Sequence, residues 1–129
     1  MAIDVTYQIL VDKLREAVAD RGGDYVYKPP GSADECLNWH QDTDTPGCIV
    51  GYVFHALGVS GNALSQYAGA ASAFLTRNLE LDGIIKLPDS EAHRSLISTL
   101  LYAVQTEQDT PGTSWGEAVD RAITATADA

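Results

Sequence analysis

Apolar residues recur at spacings of three and four along most of this chain, which is the pattern of helices that bury one face. The first such stripe predicts a helix from about Asp4 to Arg21, and Gly22 and Gly23 end it. The residues on its apolar face are Ile3, Tyr7, Leu10, Val11, Leu14, Ala17 and Val18.

Two further helices are predicted in the middle of the chain. Thr45 and Pro46 have the residue types of an N-cap and a first helical position, and Gly58 ends this central helix. Asn62 is the predicted cap of the next helix, in which Gly69 marks a point where the helix can break. The buried faces consist of Ile49, Val50, Val53, Phe54 and Leu57 in the central helix, and of Leu64, Tyr67, Ala68, Ala71, Phe74 and Leu75 in the next.

The last third of the chain predicts two more helices after an Asp82-Gly83 turn and an Ile84–Leu87 segment that is either extended or a packed loop. Asp89 caps the fourth helix, which ends near Gln108. Its apolar face is His93, Leu96, Ile97, Leu100, Leu101 and Val104. Ser114 and Glu117 have the spacing of a capping box and open a fifth helix, whose apolar side is Ala118, Val119, Ala122 and Ile123.

The segment from Asp24 to Pro46 has no helical pattern and holds three of the five prolines. Two alternating pieces, Tyr25–Tyr27 and Cys36–Trp39, could pair as a hairpin around Pro29–Ser32. We therefore predict a mainly α fold, a compact bundle of about five helices with a possible small β-hairpin in the 25–40 region. It forms one domain over 1–129, with a frayed tail at 126–129.

Composition narrows the possible functions. The chain has 129 residues, 45% of them apolar, and a net charge of -10, with no Lys or Arg between Lys28 and Arg77. Nucleic-acid binding is not expected, because it requires clustered cations. The longest apolar stretch, Cys48–Val59, is too short to cross a membrane, and the start of the chain lacks a basic leader, so we expect a cytoplasmic protein.

Two cysteines and two histidines form the sharpest candidate for a reactive site. Cys36, His40, Cys48 and His55 are the residue types of a tetrahedral zinc site, but their spacing matches no known finger, so no metal and no cofactor is predicted. Both cysteines are interpreted as reduced thiols.

A cysteine nucleophile is a minor alternative. Cys48 lies in the first turn of the predicted central helix, where the helix dipole stabilises a thiolate. His40 would be its base, oriented by Asp42 or Asp44. No catalytic sequence motif is present, and the paired acids on the loop are typical of a solvated surface, so we do not predict an enzyme.

The loop aromatics define the candidate partner-binding surface. Tyr25, Tyr27 and Trp39 are large amphipathic rings among polar residues, which is typical of contact surfaces. We assign His40, Asp42 and Asp44 to the same surface. The alternative is that these rings only hold the loop against the helices. Trp115 is interpreted as structural, filling space between helices while Gln105, Gln108 and Asp109 satisfy nearby polar groups.

Two segments carry a resemblance to a known family. Thr45–Val59, preceded by the Tyr-x-Tyr and cysteine loop, and Gln105–Val119 resemble small proteins encoded by actinobacteria and their bacteriophages, including mycobacteriophages. The function of that family is unknown, so the resemblance implies a source and no catalytic residues.

These observations favour a non-enzymatic interaction protein, phage-encoded, that binds and modulates a host protein in the host cytoplasm through an acidic, aromatic-bearing surface. The alternative is a small-ligand module that holds a nucleotide or metabolite between the aromatic loop and the central helix. The absence of cations from that part of the sequence counts against a phosphate ligand.

Overall fold

Helices dominate the computed structural model, which describes residues 2–27, 37–41 and 43–127. The predicted mainly helical bundle with a small hairpin is confirmed. In chain order, the helices of the described residues are α1 Tyr7–Arg21, α2 Ile49–Ala56, α3 Gly61–Gln66, α4 Ser72–Leu81, α5 Glu91–Asp109 and α6 Trp115–Ala127.

The strands found in the described residues are four two-residue segments. β1 (Ile3–Asp4) pairs in parallel with β4 (Ile85–Lys86), so the extended alternative for the 84–87 segment is confirmed. β2 (Trp39–His40) pairs antiparallel with β3 (Thr45–Pro46). The small hairpin therefore lies later in the chain than predicted, and its strands are not Tyr25–Tyr27 and Cys36–Trp39. Cys36 and the predicted turn at 29–32 lie outside the described residues.

The first amides of α6 and α2 are capped in different ways, by a neighbouring serine in α6 and by a side chain from a distant helix in α2. The Ser114 Oγ accepts the Glu117 N–H at 3.1 Å, so the predicted cap at Ser114 is confirmed. Glu117 Oε1 accepts from the Ser114 hydroxyl at 3.3 Å and not from the Ser114 backbone N–H of a full capping box. Thr45 was the wrong cap for the central helix, because Thr45 and Pro46 form β3 and α2 begins at Ile49. The N–H of Ile49 is instead bound by the side-chain oxygen of Gln108 from α5, at 2.7 Å.

The other two predicted caps are each displaced by one or two residues. Ser60 caps α3 in place of Asn62, and Ser90 caps α5 in place of Asp89. In both helices, the serine hydroxyl accepts the backbone N–H three residues later.

The core forms where α5 packs along α6 and α1 packs across α2, α5 and α6. Trp115, Phe54, Leu10 and Leu100 are among its fully buried side chains. A hydrogen bond of 2.8 Å between the hydroxyls of Tyr7 and Thr126 joins α1 to the end of α6. The first and last helices are therefore neighbours in the same core.

The chain does break near Gly69, as predicted, and the break changes which residues are buried. Residues 67–71 separate α3 from α4, so the apolar stripe of one helix does not continue in phase into the other. Leu75 and Leu79 face the core, whereas Phe74, which was predicted to be buried, is 58% exposed. His93 was also placed on a buried face and is instead exposed in the first turn of α5.

Candidate functional site

Two of the three loop aromatics are core residues. Trp39 is 5% exposed and Tyr27 is 8% exposed. The Trp39 ring packs edge-on to His55, with centroids 5.1 Å apart, and lies so close to α3 that a Cβ on Gly61 would be 2.4 Å from its Cζ2. This packing favours the alternative in which the rings hold the loop against the helices.

Tyr25 belongs to an aromatic cluster at the end of α1. Its ring meets the edge of Trp115 at 4.7 Å between centroids, and Tyr52 meets Trp115 at 5.4 Å. The guanidinium of Arg21 lies 5.2, 5.0 and 5.8 Å from the ring centroids of Tyr25, Tyr52 and Trp115. The cation–π attraction between Arg21 and these three rings therefore stabilises the junction of α1, α2 and α6.

His40 is held by a buried phenol. The Oη of Tyr27 lies 2.8 Å from His40 Nε2 and accepts the Leu37 N–H at 3.3 Å. Burial is the main reason that the pKa of Tyr27 is raised, although the Leu37 N–H acts in the opposite direction. The phenol therefore keeps its proton at neutral pH, and its hydroxyl forms one hydrogen bond with His40 Nε2.

The acidic members of the predicted surface lie on the turn between β2 and β3. Asp44 is exposed and has a left-handed backbone conformation, with φ of 54°. Asp42 lies outside the described residues. The described part of the predicted surface thus offers a half-buried imidazole, a half-buried tyrosine and one exposed carboxylate.

The structure describes three of the four cysteine and histidine candidates, namely His40, Cys48 and His55. Cys48 is fully buried and disulfide-bonded, so its interpretation as a reduced thiol is wrong and it supplies no thiolate nucleophile. His55 Nδ1 lies 3.1 Å from the carbonyl oxygen of Val59 in the turn after α2. Within 2–27, 37–41 and 43–127, no three His, Cys, Asp or Glu side chains are placed to hold a metal ion. Cys36 lies outside those ranges.

A buried asparagine that the sequence did not single out attaches the loop to the helices. Asn38 Nδ2 donates to the carbonyl oxygens of Tyr67 and Ala70, at 2.9 and 3.0 Å, and the Asn38 N–H donates to Ala68. The Asn38 backbone passes directly over Gly51 of α2. A glycine inside an otherwise apolar helix was the available signal for such a close approach.

A groove of about 460 Å³ between α4 and α5 is open to solvent. Gln105 Oε1 accepts the Ser72 N–H at 2.7 Å, and Arg94 pairs with Glu80. These contacts join the start of α4 to the second half of α5 and the end of α4 to the start of α5, so the two helices are antiparallel. The groove is lined by Ala73, Thr76, Arg77, Glu80, Leu81, Leu87, Glu91, Arg94, Ser95, Ile97 and Ser98.

The same two helices carry the large exposed apolar side chains of the described residues. Phe74 is 58% exposed, Leu81 is 71% exposed and Tyr102 is 65% exposed. Leu81 borders the groove, and Phe74 precedes it by two turns on the same side of α4. Tyr102 follows Ser98 by one turn on α5. We call the groove and these three side chains the α4–α5 face.

An ion pair closes one end of the α4–α5 face. The guanidinium of Arg94 contacts both carboxylate oxygens of Glu80 and also donates to the Pro88 carbonyl at 3.3 Å. The hydrogen bond from Arg94 lowers the pKa of Glu80, although partial burial opposes this change. Glu80 therefore stays ionised at a lower pH than an isolated glutamate.

The lowered pKa of Glu80 predicts a pH-dependent contribution to stability. A carboxyl group whose pKa is lower in the folded state stabilises the fold above its unfolded pKa, near 4.5, and this contribution is lost as the pH falls through the folded pKa. We expect Glu80→Gln to lower the urea midpoint at pH 7 and to have less effect at pH 3. Arg94→Gln removes the other partner of the ion pair. We expect this variant, too, to lose more stability at pH 7 than at pH 3, so that its urea midpoint depends less on pH than that of the native protein. Equal losses at both pH values in Glu80→Gln would contradict this assignment.

Comparison with known proteins gives no assignment: no family model, no curated protein and no solved structure matches this chain. Among the helices of the described residues, none has the length and apolar content needed to cross a membrane.

Proposed function

We propose that this protein is a non-enzymatic binding protein that holds a segment of another protein against the α4–α5 face. The observation that carries the proposal is the exposure of Phe74, Leu81 and Tyr102 on the two helices that border one groove. Clustered large apolar side chains in contact with water are a mark of protein-binding surfaces, because their burial on association is favourable.

The proposal moves the binding surface from the loop to the helices. Trp39 and Tyr27 already bury their apolar area within the chain, so they have little left to gain from a partner. Each of the three exposed side chains on the α4–α5 face has most of its surface still in water. Burial of one such side chain is worth roughly 1.5–3 kcal/mol.

The resemblance to proteins of actinobacteria and their bacteriophages supports the choice of partner. A phage-encoded binding protein would act on a protein of the host cell, where it would modulate the target by occupying one of its surfaces. An actinobacterial cell is therefore the setting in which we would look for the partner.

Site-specific photocrosslinking in such cells tests the proposal. A photoreactive p-benzoylphenylalanine replaces Tyr102 in one variant and Phe74 in another, and both positions tolerate a bulky ring because they are exposed. We expect each probe to yield a discrete covalent adduct with the same partner protein. We also expect Leu81→Ser, which removes apolar area without changing charge, to reduce the adduct yield several-fold.

The matched control is the same probe at Arg15, an exposed position on α1 beside the groove between α1 and α6. This position should give no adduct with that partner. No adduct from the α4–α5 face, or an equal yield at Arg15, would overturn the proposal.

A further inference from the structure

The α4–α5 face carries a charge that identifies the chemistry of its occupant. Arg77 is exposed and lines the groove one turn before Leu81. Among the residues that the structure describes, no carboxylate lies within ion-pair distance of Arg77. The nearest acid along α4, Glu80, has both of its oxygens bound by Arg94. Arg77 is therefore a cation of this groove with no ion-pair partner among the described residues, although Glu91 also lines the groove, from α5.

The shape of the face indicates a helical occupant. A ten-residue helix such as α4 is about 15 Å long, and Phe74 and Leu81 are two turns apart along it. Tyr102 stands on the antiparallel neighbour, so apolar contacts are available on both sides of the groove. An amphipathic helix places apolar residues at intervals of three, four and seven on one face, and such helices bind in grooves between helices.

Covering Arg77 with an apolar surface alone would remove water from its guanidinium and supply no counter-charge, which is unfavourable. A carboxylate on the occupant satisfies the same group. We propose that the α4–α5 face binds an amphipathic helix of the partner protein whose apolar side meets Phe74, Leu81 and Tyr102 and whose Asp or Glu pairs with Arg77. This inference rests on the proposed function and specifies its partner.

A charge swap with defined peptides tests the pairing directly. The probe is a fluorescein-labelled helical peptide with leucines spaced three and four residues apart and one glutamate at the edge of the leucine face. A second peptide has lysine in place of that glutamate. We expect the native protein to bind the glutamate peptide about fivefold more tightly in an anisotropy titration, the size of one partly desolvated ion pair. In Arg77→Glu, the preference should reverse.

The matched control is Arg15→Glu, which changes the net charge by the same amount at an exposed position on α1. This variant should keep the preference for the glutamate peptide. Circular dichroism and urea unfolding of both variants would show that the fold is intact. Equal responses of the two variants would mean that net charge, and not Arg77, sets the preference, and would overturn the inference.

The result separates this inference from the proposed function. If the Tyr102 probe crosslinks a partner but neither peptide binds, or Arg77→Glu has no effect on peptide preference, the binding function stands and the acidic helix is wrong. If sedimentation shows dimers that Tyr102→Asp abolishes, the occupant is a second copy of this chain and the inference fails. If the Tyr102 probe gives no adduct, both proposals fail.

Discussion

Alanine at Gly51 is expected to lower the free energy of unfolding by about 3 kcal/mol, at the upper end of the cost of overpacking. A Cβ on Gly51 would lie 2.1 Å from the Asn38 carbonyl oxygen and 2.7 Å from the Asn38 C and Cα atoms. These are backbone atoms, so the clash cannot be relieved by rotating a side chain. The segment at residue 38 would have to move away from α2, which would weaken the hydrogen bonds of Asn38 to the 67–70 turn.

The expected loss is opposite in sign to the ordinary effect of this substitution within a helix, where alanine is favoured over glycine by about 1 kcal/mol. Urea unfolding monitored by circular dichroism measures the change. Gly23→Ala is the control, because a Cβ there meets no atom within 4 Å, and its effect should stay below about 1 kcal/mol. A Gly51→Ala protein as stable as the native chain would show that the loop does not lie against α2.

Removal of the Gln108 side chain is expected to cost a similar amount, about 3–4 kcal/mol in Gln108→Ala. The side-chain oxygen of Gln108 accepts the Ile49 N–H at 2.7 Å and the Trp115 indole N–H at 3.0 Å. Gln108 is 4% exposed, so water cannot easily replace the lost acceptor. Each buried donor left without an acceptor costs about 1–3 kcal/mol.

A glutamine on the same helix provides the comparison. Gln105 is half-buried and accepts a single backbone N–H, that of Ser72, at 2.7 Å. We expect Gln105→Ala to lose no more than about half as much stability as Gln108→Ala, by the same urea titration. If Gln105→Ala and Gln108→Ala lose the same free energy of unfolding, the loss does not depend on how many N–H donors the glutamine satisfies or on how deeply they are buried.

The helices could be predicted because their signals are local. Apolar spacing identified the five helical regions, and the cap at Ser114 needed only four consecutive residues. The start of α2 could not be predicted in this way. Its first amide is bound by Gln108, which lies 59 residues later in the chain. The sequence around residue 49 gives no sign of that partner, so Thr45 and Pro46 were predicted to be the N-cap and the first residue of the helix.

The hairpin was misplaced for a related reason. Alternating residues at Tyr25–Tyr27 and Cys36–Trp39 satisfied the local pattern of two strands, but β2 pairs with β3 at Thr45–Pro46. The pairing is fixed by the approach of residues 37 and 38 to Gly47 and Gly51 and by the hydrogen bonds of Asn38 to the 67–70 turn. Local alternation carries no information about either contact.

The candidate site was the hardest part to predict. Phe74 was predicted to be a core residue because the apolar face that begins at Leu64 was extended, as one continuous helix, across residues 67–71. Once α4 begins again at Ser72, its phase places Leu75 and Leu79 inward and leaves Phe74 in water. The unpaired charge of Arg77 depends in turn on the pairing of Glu80 with a residue of α5, which no spacing along α4 reveals.

The contact between the first and last helices constrains how this protein can form during synthesis. Tyr7 is bonded to Thr126 and α1 packs on α2, α5 and α6, so the set of helices around α1 is incomplete until α6 has left the ribosome. Residues emerge at about 5–20 per second, so this set of helices stays incomplete for several seconds after α1 has emerged. During that time, the part of α1 that packs on α6 is available to chaperones, and a ribosome stalled before α6 would present a nascent chain that cannot close its core.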